Sequence, residues 1–134
     1  MANLSDRMAG WIARSVKYGG SKGAVLGLSG GIDSAVCAAL CTKALGDQVL
    51  GLLMPCESNT QDEKDALLLA RHLGMKTARI DLARPFHAIA EELPQGTDLA
   101  RANLKPRLRM ATLYYFANKL SYLVVGTGNK TELM

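Results

Sequence analysis

The chain has 134 residues, is 49% apolar, has a mean hydropathy of +0.06 and carries a net charge of +4. That balance excludes intrinsic disorder, and the length suits a single domain whose core needs no staples. No apolar run reaches the ~18 residues of a membrane span, and three cysteines without framework spacing argue against a disulfide scaffold. Asp6 and Arg7 stand where a secretory signal would be apolar, so a cytoplasmic protein is expected. The charge is local. Ten basic and ten acidic residues cancel over positions 1–97, and the excess falls in the last 37 residues, where Arg101, Lys105, Arg107 and Arg109 cluster. A diffuse basic surface would suggest nucleic acid, whereas this cluster fits either one anionic ligand or a solvated helix face.

In chain order, Leu4–Tyr18 reads as a helix with Leu4, Met8, Trp11, Ile12 and Val16 on one stripe, stopped by Gly19 and Gly20. Gly23–Ser29 is a short apolar strand. Ser34–Leu45 is helical up to Gly46, and Gln48–Met54 is a second strand closed by Pro55. Gln61–Leu73 has an acidic first turn suited to the helix dipole. A third strand is expected over Met75–Leu82. A helix starts near Asn103, a good N-cap, with Pro106 in its first turn and an inward stripe of Leu104, Leu108, Ala111 and Tyr115. Ser121–Val125 is the fourth strand. This alternation predicts an α/β fold with a doubly wound parallel sheet, whose ligands bind beyond the carboxyl ends of the strands.

Ser29-Gly30-Gly31-Ile32-Asp33-Ser34 falls at such an end. Adjacent glycines let backbone N–H groups approach a phosphate, and the helix start adds partial positive charge. The Lys-Ser/Thr pair of a Walker loop is absent, and so is the spacing of a dinucleotide fingerprint. Asp33 within an anion cradle is either a helix cap or a carboxylate that meets the phosphates through Mg²⁺. Gly126-x-Gly128-x-x-Thr131 nearly matches a dinucleotide fingerprint but lacks its third glycine. Cys37 and Cys41 read as small buried hydrophobes. His72 and His87 show no constellation.

SGGIDS after a strand resembles the PP-loop of the ATP pyrophosphatases, which have a Rossmann-like adenine nucleotide alpha hydrolase fold. Gly126-Thr127-Gly128-Asn129-Lys130-Thr131-Glu132, and Asn103-Leu104-Lys105-Pro106-Arg107-Leu108-Arg109-Met110 upstream, are similar to segments of the NAD synthetases. The resemblance implies ATP-dependent amidation of deamido-NAD through an adenylated nicotinate carboxylate. It implies that ATP is held by Gly27, Leu28, Ser29, Gly30, Gly31, Ile32, Asp33, Ser34 and Thr127. It further implies that deamido-NAD is held by Arg107, with Asn103 and Tyr114 nearby, and Mg²⁺ by Asp33 and Glu132.

The family continues for about as long again beyond the match, so a single nucleotide-binding domain over residues 1–134 lacking its C-terminal portion is expected. Ammonia is the expected nitrogen source, because no glutaminase segment precedes the loop. The resemblance implies a homodimer, and Met110, Leu113, Tyr114 and Phe116 make one helix apolar over more than one face. Neither nucleic acid nor membrane is an expected partner. Another PP-loop enzyme, of GMP synthetase or tRNA thiolase type, and an inactive nucleotide-binding fragment remain alternatives.

Overall fold

Short runs rich in Val and Leu, flanked by glycine, are suited to strands buried on both faces. In the computed structural model, which describes residues 3–57 and 60–126, three such runs and the more polar, mostly exposed Lys76–Arg79 form one parallel sheet. These are β1 (Gly23–Gly27), β2 (Val49–Leu53), β3 (Lys76–Arg79) and β4 (Tyr122–Val124), in the order β3-β2-β1-β4. β1 pairs with β2 from Ala24 opposite Val49, and with β4 from Gly23 opposite Tyr122.

Alternation along the strands divides the interior into two cores. Leu26, Val49 and Leu53 face α1 (Leu4–Tyr18), α2 (Ile32–Leu45) and α3 (Thr60–Leu73), where Ile12, Ala38, Cys41, Ala66 and Ala70 meet them. Val25 and Leu52 face the other way, onto Phe86 of α4 (Ala83–Glu92) and Leu113 and Ala117 of α6 (Leu104–Leu120). Among the described residues, no helix is long and apolar enough to cross a membrane.

The structure departs from the sequence reading in four places. Met75–Leu82 yields only a four-residue strand, because Leu82 turns into the second core and begins α4. α4 and the short α5 (Asp98–Ala102) fall in a span for which the sequence reading expects no element. The Asp81 carboxylate accepts the Ala83 N–H at 2.9 Å to start α4, and the Thr97 hydroxyl accepts from Ala100 to cap α5. On α1 the inward stripe is Ala9, Ile12 and Val16, leaving Leu4, Met8 and Trp11 exposed. On α6 it is Leu113 and Ala117, while Ala111 and Tyr115 face outward. α6 is apolar on so many faces that two stripes compete. The one with the small Ala117 is turned toward β1 and β4.

Candidate functional site

The chain reverses its direction of winding at β1. α2 leads from β1 to β2 on one face of the sheet, whereas α6 enters β4 on the other. The carboxyl ends of β1 and β4 therefore flank a topological switch point, where open α/β sheets bind ligands. The glycine-rich loop leaves β1 there, and the chain continues from β4 through Val125, whose N–H bonds the Val25 carbonyl at 3.0 Å, to Gly126. A hollow of about 300 Å³ at the opposite end, lined by Leu50, Lys76, Phe116 and Tyr122 among others, lies away from both motifs.

The loop is held by its own residues. The Ser34 hydroxyl, buried, donates to the Gly27 carbonyl and accepts the Ser29 N–H, each at 3.2 Å, so it braces the turn and is not turned out toward a ligand. Leu28 is buried in the first core, and its N–H is spent on the Leu52 carbonyl at 2.8 Å. Ser29, Gly30, Gly31, Ile32 and Asp33 are exposed. The Ser29 hydroxyl accepts from the Gly31 N–H at 3.4 Å. Gly30 has φ +82, and a Cβ there would lie 2.5 Å from the Asp62 carbonyl oxygen, so the first turn of α3 buttresses the loop from behind. Among the described residues, a Cβ on Gly31 would meet only the Ser29 Oγ, at 3.5 Å.

Asp33 stands in the first turn of α2. One exposed carboxylate beside an open backbone cradle suits Mg²⁺, which takes one or two carboxylates and completes its shell with phosphate oxygens and water. No group of three or more His, Cys, Asp or Glu residues that could hold a metal ion by itself occurs among the described residues. Thr127 and Glu132 lie outside the described residues.

The basic cluster resolves into separate roles. Arg101 lies over the Phe86 ring, 4.8 Å from its centroid, and Lys105 pairs with Glu57 at 3.4 Å. Arg109, half-buried, donates from Nε to the Met54 carbonyl at 3.0 Å. Arg107 is exposed and bonds the Asn103 carbonyl at 3.4 Å. Asn103 joins α5 to α6 in helical geometry and makes no side-chain cap, contrary to its reading as an N-cap. Tyr114 is half-buried on α6.

Three features had no signal in the sequence. Ser34 serves as an internal brace, Asp62 as the backing of Gly30, and Glu57 as a partner of both Lys105 and His87. Each depends on a contact between segments distant in sequence or on a local hydroxyl geometry that no spacing rule encodes. Cys37 and Cys41 stand one turn apart on α2, and the Cys37 thiol reaches the Gly126 carbonyl at 3.9 Å. Cys41 holds Cys37 below the ordinary thiol range, while the pairing and burial push Cys41 above it.

The sequence profile of the NAD synthase family matches residues 4–134. The chain belongs to the NAD synthase family. It is 46% identical over 134 residues to the NH(3)-dependent NAD(+) synthetase of Carboxydothermus hydrogenoformans, covering 96% of this chain and 55% of that protein. Among solved structures it matches the NH3-dependent NAD synthetase of Campylobacter jejuni with a TM-score of 0.89 and 39% identity, over 96% of this chain and 57% of that one. It also matches the NMN synthetase of Francisella tularensis, with a TM-score of 0.87 and 33% identity over 93% and 53%. The chain thus spans about half the length of the curated relatives it matches. Membership of the NAD synthase family decides against the GMP synthetase and tRNA thiolase alternatives, because the match includes the segments after the PP-loop as well as the loop itself.

Proposed function

We propose that this chain carries the ATP-binding half-site and part of the dinucleotide site of an ammonia-dependent NAD synthetase. The observation that carries the reading is the position of SGGIDS, which leaves β1 at the switch point beside the carboxyl end of β4. The exposed loop Ser29–Ile32, through its Gly30 and Ile32 N–H groups, and the start of α2 would take the ATP phosphates. Asp33, with Glu132, would hold Mg²⁺, which would supply charge neutralisation between carboxylate and phosphates. Thr127 would contact ATP, and Arg107, with Asn103 and Tyr114 near it, would bind deamido-NAD.

The chemistry needs positioning and charge neutralisation above all. The nicotinate carboxylate oxygen attacks the α-phosphorus of ATP, and pyrophosphate leaves. Ammonia then attacks the carbonyl carbon of the mixed anhydride, and AMP leaves with the bonding electron pair. The nitrogen sheds one proton to solvent and becomes the neutral amide. The chain's own part is to hold the phosphates in line on rigid backbone donors and to fix the acceptor with a guanidinium fork.

The similarity to an NMN synthetase supports a second acceptor, nicotinate mononucleotide. The test is AMP formation from ATP and ammonia with either acceptor, together with calorimetry of each nucleotide against the chain. Mg²⁺-dependent ATP binding abolished by Gly31→Val supports the reading, and ATP binding indifferent to that change defeats it. The homodimer implied by family resemblance finds its support on α1. There Leu4, Met8, Trp11 and Tyr18 form an outward apolar stripe, with Trp11 55% exposed. Such a stripe on a soluble surface suits contact with a second copy. Sedimentation at micromolar concentration should give a dimer that Trp11→Glu dissociates, and monomer in both would remove this contact.

A further inference from the structure

Glu57 is held in an unusual way. Its φ is +58, a region that side-chain-bearing residues other than Asn and Asp seldom enter. Both of its carboxylate oxygens are engaged, Oε2 by His87 Nε2 of α4 at 3.1 Å and Oε1 by Lys105 Nζ of α6 at 3.4 Å. Three residues earlier in the same loop, the Met54 carbonyl accepts from Arg109 Nε. The loop leaving β2 is therefore tied to α6 twice, at two residues four apart.

Residues four apart share a helix face, and one two positions from each lies on the opposite side. With Lys105 and Arg109 both turned onto the loop, Arg107 is turned away from it, and it is the exposed one of the three. Met54 also borders the phosphate loop, since its Cε lies 3.2 Å from where a Cβ on Gly27 would be. The rotation of α6 about its axis is thereby referenced to the start of the ATP cradle. Partly exposed ion pairs contribute little to stability, so the pairs made by Glu57 matter chiefly as a constraint on orientation.

We propose that Glu57 is a positioning residue, which with Arg109 clamps the first turns of α6 to the β2 loop so that Arg107 is presented to the dinucleotide. This rests on the reading of Arg107 above. The test uses Glu57→Asn, which suits the left-handed backbone but is too short to span both partners. The affinity for deamido-NAD should fall about tenfold with ATP affinity unchanged, and Glu57→Asn/Arg107→Ala should bind no more weakly than Arg107→Ala alone. Equal losses for ATP and deamido-NAD, or independent losses in the double variant, would overturn it. Hydrogen exchange of amides 108–111 reads the clamp without any ligand. It should be about two- to fivefold faster in the variant, and unchanged exchange would overturn the clamp whatever the chain binds. A wild-type chain that binds ATP but not deamido-NAD would defeat the reading of Arg107, and with it the purpose assigned to the clamp.

Discussion

At Gly30 and Gly31 two adjacent glycines meet different demands. Gly30 is left-handed and backed by the Asp62 carbonyl, so Gly30→Ala strains the backbone and collides with α3. Denaturant unfolding should show a loss of about 1–3 kcal/mol. Gly31 is extended, and among the described residues a Cβ there would meet only the Ser29 Oγ. Gly31→Val should leave stability within about 0.5 kcal/mol while its side chain occupies the cradle and removes ATP binding in calorimetry. The same contrast holds on α6. Arg109→Ala removes a half-buried charge-assisted bond to Met54 and should cost about 1.5–3 kcal/mol of stability. Arg107→Ala should leave the unfolding midpoint nearly unchanged and weaken deamido-NAD about 10- to 100-fold in a binding titration. Similar stability losses at the two positions would contradict the orientation of α6.

Among the elements, α4 shows how a short helix is held by one buried anchor. Its first turn contains Pro85, it is ten residues long, and its anchor is Phe86, fully buried among Leu52, Leu82 and Leu113. Arg101 and Lys105 also cover the ring, so Phe86 joins α4, α5 and α6. Phe86→Ala leaves a cavity that rigid sheet residues cannot fill, and should cost about 3–5 kcal/mol in equilibrium unfolding. A cost under about 1 kcal/mol would mean that α4 packs only at its surface.

For the molecule as a whole, buried thiols set an alkaline limit to stability. Burial pushes the Cys56 thiol above its ordinary range, with Arg109 and Lys105 pulling partly the other way. The folded state then keeps a proton that the unfolded chain releases above about pH 8.5. Stability from this group is complete below that pH and declines as pH rises beyond it, by at most about 1.4 kcal/mol per pH unit. Cys41 acts with the same sign and Cys37 with the opposite sign. Unfolding free energies measured from pH 7 to 10 should fall above about pH 8.5, and less steeply in Cys56→Ala. A slope unaffected by that substitution would show that Cys56 titrates normally.

Much of this architecture is local and therefore legible in residue order. Short apolar runs closed by Gly or Pro located β1, β2 and β4, glycines ended α1, α2 and α3, and SGGIDS marked the turn from β1 into α2. Those features depend on neighbours within a few residues, where sterics and backbone hydrogen bonding are decided by side-chain type. Which face of α6 turns inward was not legible, because its apolar residues wrap most of the helix and only packing against β1 and β4 selects Leu113 and Ala117. Nor were the partners of Arg109, Lys105 and Gly30, which lie 55, 48 and 32 positions away. Residue type determined that a basic cluster exists. Only the docking of α6 on the β2 loop decided that Arg109 is spent on the Met54 carbonyl and that Arg107 faces outward, because a helix can present just one side to the loop that holds it.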